Sequence, residues 1–134
     1  MQKIFMQGLL TANILAYSSV AFAGFGEREW NFETNETVTI GASDEIQQGA
    51  EYGCKAFKPE KASFTLSYSS PSDVNKLHIT ADDEKKITHD KERKIFMLKD
   101  VKSLDIGFPP SGYYTFKNIT KERVIGLDCD AGDF

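Results

Sequence analysis

Helical periodicity is missing from this chain. No segment of its 134 residues sustains an amphipathic helix of three turns, which excludes an all-helical architecture. Past residue 23 there is no second long apolar run, so the mature chain is expected to carry no membrane span. Histidine is scarce, with only His78 and His89. A zinc site asks for three or four His, Cys or carboxylate ligands at recognisable spacing, which these two do not provide. No Gly-x-Ser-x-Gly elbow, phosphate loop or dinucleotide fingerprint occurs, and Pro110-Ser111-Gly112 reads as a turn. The chain is therefore expected not to be an enzyme, and no cofactor is implied.

Excess positive charge is lacking as well. Sixteen Lys and Arg face twenty Asp and Glu, a formal charge of −4. A net-acidic chain has no overall electrostatic pull toward nucleic acid or an anionic membrane, so neither is an expected partner unless a local patch supplies one.

The amino terminus carries an address. Met1-Gln2-Lys3 is basic, an apolar stretch follows from Ile4 to Ala16, and Ala21-Phe22-Ala23 places small residues at a signal-peptidase site. Residues 1–23 are read as a cleaved secretory leader and residues 24–134 as one domain. Loss of Lys3 with the leader takes the formal charge from −4 to −5. The expected location is secreted or periplasmic. In that oxidising setting the only two cysteines, Cys54 and Cys129, are expected to form a disulfide.

Alternation of period two dominates what remains. Trp30 and Phe32, Val38 and Ile40, Leu77, Ile79 and Ala81, and Leu104, Ile106 and Phe108 each mark one face of a short strand. Phe64, Leu66 and Tyr68 against Ser63, Thr65, Ser67 and Ser69 form the clearest such run. Cys54 is expected on a strand with Tyr52 and Ala56 on its own face. Ile95 to Leu98 is continuous and apolar, as in a strand buried on both faces. The polar stretch at residues 82–94 reads as a charged hairpin around Ile87 or a short exposed helix, the hairpin preferred because strands flank it. Residues 41–49 read as a loop. The carboxy-terminal stretch at residues 112–130 reads as a hairpin, with Tyr114 and Phe116 opposite Tyr113, and with Ile125, Leu127 and Cys129 on the core face. Eight or nine short strands at this spacing predict a small single-domain antiparallel β-sandwich, Ig-like or jelly-roll in type.

Three groups of residues are candidates for function. The aromatics exceed what one small core holds, so an exposed ring is expected, with Tyr113 and then Trp30 as binding candidates. Asp128, Asp130 and Asp133 around Gly132 offer hard oxygens to Ca2+, although the full calcium loop is absent and a solvated acidic tail fits the same residues. Asn35-Glu36-Thr37 and Asn118-Ile119-Thr120 are glycosylation triplets in a eukaryotic host. His78 and His89 are expected on the surface.

The run PPSGYYTF at residues 109–116 resembles the Pro-x-Gly-x-Tyr entry to a strand in transthyretin-like and other bacterial surface sandwiches. Tyr52-Gly53-Cys54, with Cys129 far downstream, is similar to bacterial C-type lysozyme inhibitors. No functional residue carries over from either. The expected function is a non-enzymatic β-sandwich that binds a protein or glycan outside the cytoplasm. The alternatives are an inhibitor of an extracellular hydrolase such as a lysozyme or protease, and a calcium-dependent adhesion module.

Overall fold

The computed structural model describes residue 25 and residues 30–41 and 49–132. The predicted leader at residues 1–23, residues 42–48 and Asp133 lie outside the described residues. Ten strands occur: β1 Asn31–Phe32, β2 Thr37–Gly41, β3 Ala50–Lys58, β4 Ala62–Tyr68, β5 His78–Ala81, β6 Ile87–Asp90, β7 Ile95–Val101, β8 Leu104–Phe108, β9 Tyr113–Asn118 and β10 Val124–Gly132. They form two antiparallel five-stranded sheets, ordered β1-β10-β3-β8-β5 and β2-β9-β4-β7-β6. The all-β sandwich with one disulfide is thus present, with ten strands where the spacing predicted eight or nine. Among the described residues no helix is long and apolar enough to cross a membrane.

The inner faces meet in an aromatic core. Trp30, Phe32, Phe64, Phe108 and Phe116 are fully buried. Phe64 stacks on Phe116 at 4.7 Å, and Phe25 meets Trp30 edge-on at 4.9 Å. Each buried ring removes some 150–250 Å² from water, so this cluster is the main source of cohesion between the sheets. β4 follows its sequence pattern without a fault: Ala62, Phe64, Leu66 and Tyr68 are buried and Ser63, Thr65 and Ser67 only half so.

Four expectations need correction. First, residues 112–130 are not a hairpin. β9 lies in the second sheet and β10 in the first, so the polar turn carries the chain across the sandwich. Asn118 is fully buried there. Its amide donates to the carbonyls of Phe32 at 3.2 Å, Glu33 at 3.1 Å and Glu122 at 3.3 Å, and its oxygen accepts the Thr120 N–H at 3.0 Å.

Second, β10 starts in the opposite phase. Val124 and Gly126 are buried and Leu127 is 42% exposed, yet Cys129 is buried again. The ladder to β3 pairs Leu127 with Ala56 and Cys129 with Cys54, skipping the residues between. Asp128 there has a φ of 55°, a left-handed turn of the backbone that resets which face follows. On facing β3 the phase shifts as well: Cys54 is buried, Lys55 and Ala56 are both exposed, and Phe57 is buried.

Third, Ile95 to Leu98 is not buried on both faces. Leu98 is buried and Met97 is 39% exposed, because among the described residues no element packs on the outer face of the second sheet. Fourth, the hairpin in residues 82–94 turns at residues 91–94. Ile87 instead opens β6, after a 3-10 turn at Glu84–Lys86 that Asp83 caps through the Lys85 N–H at 2.9 Å.

Cys54 and Cys129 are bonded and directly opposed on adjacent β3 and β10, with Cα atoms 4.0 Å apart. Gly126 makes this possible. A Cβ at that position would lie 2.5 Å from the Cys54 sulfur and 2.9 Å from that of Cys129.

Candidate functional site

Core formation leaves two outward faces. On the first sheet, the register aligns Thr80, Asp105, Gly53 and Asp130 in one row across β5, β8, β3 and β10, and Gly107, Glu51 and Gly132 in the next. The glycines leave these rows short of side chains, and a concavity of about 490 Å³ opens there. Glu51, Asp105 and Asp130 line it, with Lys55 the one cation among its described lining residues. Partial burial, a hydrogen bond with Glu51 and the negative charges of Glu51 and Asp130 push the Asp105 carboxyl up to about 6. Asp105 therefore holds its proton into the mildly acid range.

On the second sheet, the register sets Thr39, Thr115, Ser67, Ile95 and Asp90 side by side across all five strands. The next row holds Thr37, Lys117, Thr65, Met97 and Thr88. At the β9 end stands Tyr113, paired with Gly41 and 61% exposed. One edge of its ring fills the space a side chain at position 41 would take, 2.6 Å from an ideal Cβ. Covering a strand-end glycine with an aromatic supports the edge, and most of the ring still faces water. These rows thus combine hydroxyls, two apolar side chains on β7 and one charge of each sign, Asp90 and Lys117, beside one exposed aromatic.

The predicted residues separate under this geometry. Tyr113 is exposed as expected, whereas Trp30 is fully buried among Phe25, Phe32, Phe57 and Phe116. The exposure on which a binding role for Trp30 was based is therefore missing. Its indole N–H has no hydrogen-bond partner among the described residues. Asp128 and Asp130 are both exposed at the end of β10. Asp130 faces Asp105 across Gly53, and Asp133 lies outside the described residues. Among the described residues no grouping of three or more His, Cys, Asp or Glu is arranged to hold a metal ion.

His78 is exposed on β5 as expected. His89, expected on the surface, is half-buried on β6. It stacks on Phe96 at 4.1 Å and shares a hydrogen bond of 2.7 Å with the Tyr68 hydroxyl, on the inner side of β6. Asn35 is exposed in its turn, whereas the buried and fully bonded Asn118 is closed to a glycan. Ser111 serves the turn, its carbonyl accepting the Tyr114 hydroxyl at 2.8 Å.

Two clusters escaped the sequence reading. Glu51, Asp105 and Asp130 were each legible as outward residues, but only strand order places them together. The same holds for a group of lysines beside Met97, from Lys61, Lys85, Lys86 and Lys99. No protein-family model matches the chain, and no curated protein matches it in sequence.

Proposed function

We infer that this protein is an exported, non-enzymatic β-sandwich that binds a protein or glycan partner through the outer face of its second sheet. One observation supports the reading: Tyr113 at 61% and Met97 at 39% exposure share a face with Ile95 and a field of Ser and Thr hydroxyls. Exposed aromatic and apolar side chains on a rigid sheet supply contact area at little ordering cost, and hydroxyls supply adaptable hydrogen bonds. The 82–94 segment belongs to the same sheet, since β6 pairs with β7 along Ile87 to Asp90.

The test is retention of glycans and extracellular proteins by the oxidised protein, run beside Tyr113→Ala and Thr115→Arg. Both substitutions lie on the outward face, so melting should stay nearly constant. A ligand of this face should bind roughly tenfold more weakly to Tyr113→Ala and be lost with Thr115→Arg. Retention of the same ligands by all three proteins would place the binding elsewhere.

A further inference from the structure

The lysine group sits at one end of that face. Lys61 comes from the β3–β4 turn, Lys85 and Lys86 from the 3-10 turn before β6, and Lys99 from β7. With Met97 and Thr88 they line a concavity of about 380 Å³. Lys86 is held by Asp82 at 2.6 Å. Asp100, also on the rim, accepts the Ser63 hydroxyl at 3.4 Å. Among the described residues, Lys61, Lys85 and Lys99 have no carboxylate within ion-pair distance. Three segments distant in sequence thus gather free cations in a chain whose net charge is −4. Like charges brought together repel, and an anionic ligand relieves that repulsion.

The geometry points to an acidic polysaccharide as the ligand, with its sulfate or carboxylate groups in the lysine concavity and its sugar rings running over the hydroxyl rows toward Tyr113. This rests on the reading of the second sheet's outer face as the binding face. Charge complementarity sets the sign of the ligand. The layout of the face sets its class. Tyr113 and Lys117 are four residues apart on β9, roughly 13 Å, and β9 and β7 are two strand spacings apart, roughly 10 Å. Thr115, Ser67 and Thr65 fill that interval with hydroxyls, which suits an extended chain of sugars. A membrane surface instead needs clustered apolar side chains, and here Met97 and Tyr113 stand apart.

Binding is measured by titration of the oxidised full chain with dextran sulfate, with neutral dextran of equal length and with phosphatidylglycerol vesicles. The variants are Lys61→Gln/Lys85→Gln/Lys99→Gln, Tyr113→Ala and Thr115→Arg, each checked for unchanged melting. The expected result is binding to dextran sulfate that weakens with salt, is roughly tenfold weaker in the triple variant, and is weaker in Tyr113→Ala. Equal binding of neutral dextran, preference for the vesicles, or no binding to dextran sulfate overturns the proposal. Full affinity in the triple variant overturns it too. If Tyr113→Ala and Thr115→Arg still weaken that binding, the outer face stands as the binding face without its lysine anchor. If no variant alters it, both readings fall.

Discussion

Two aspartates show how local surroundings set opposite responses to pH. Asp105 is pushed up to about 6 by partial burial, by its hydrogen bond with Glu51 and by the charges of Glu51 and Asp130. Its folded-state value lies above the ordinary 3.8, so the folded state holds the proton more tightly. That stabilisation is fully present below about pH 4 and is lost as pH rises through about 6. Asp82 behaves the other way. Burial opposes its ionisation, but the Lys86 ammonium and the N–H groups of Lys102 and Ser103 outweigh that and hold it at about 2. Its contribution is present above about pH 4 and is lost only as pH falls through 2. Between pH 4 and 7 Asp82 is therefore constant and Asp105 is not. Urea midpoints across that window should fall with rising pH in the natural protein. Asp105→Asn should flatten much of the fall and be the more stable of the two at pH 7. A slope unchanged by the substitution would refute the raised Asp105 value.

Asn118 shows how one side chain makes an element-level connection. It closes β9, bonds to the end of β1 and to the 119–123 turn, and so fixes the point where the chain leaves one sheet for the other. Thr120 continues the stitching through its hydroxyl to the Ser63 carbonyl at 3.1 Å, and its own carbonyl accepts the Thr34 hydroxyl. Asn118→Ala strips these partners inside a buried site. A loss of about 2–4 kcal/mol is expected, read as a fall of roughly 8–15 °C in Tm. A change within experimental error would mean that water satisfies the freed carbonyls. The triplet Asn118-Ile119-Thr120 looked like a polar turn because turn chemistry and buried cross-sheet bonding use the same residue types. Alternation was legible where strands keep one phase, as in Phe64 to Tyr68 and Tyr114 to Phe116. It misled at β10, where a single left-handed residue, Asp128, shifts the phase without any glycine to announce it. The lysine concavity was illegible for another reason. Its members lie up to 38 positions apart, from Lys61 to Lys99, and only strand order makes them neighbours.

At the scale of the molecule, nearly every connection among the described strands crosses between sheets, with β6 to β7 alone staying in one. Each sheet is therefore assembled from segments distant in sequence, and the first sheet depends on its closing strand. β1 pairs only with β10, and β10 joins the rest of that sheet only through β3. The Cys54–Cys129 bond sits on the junction that holds both. It spans 75 positions, so in the chain-entropy account its removal costs roughly 4 kcal/mol, less any native-state relief. The topology adds a location to that magnitude. In a Cys54→Ser/Cys129→Ser variant, β10 and β1 have lost their fastening, whereas β2, β9, β4, β7 and β6 keep every partner. Hydrogen exchange in the native buffer should then show the largest gain in amide exchange over Val124–Gly132 and the facing part of β3. Gains should be small along β4, which is bonded on both sides by β9 and β7. A uniform rise across both sheets would mean that the sandwich opens as one unit and that the disulfide acts on the unfolded chain alone.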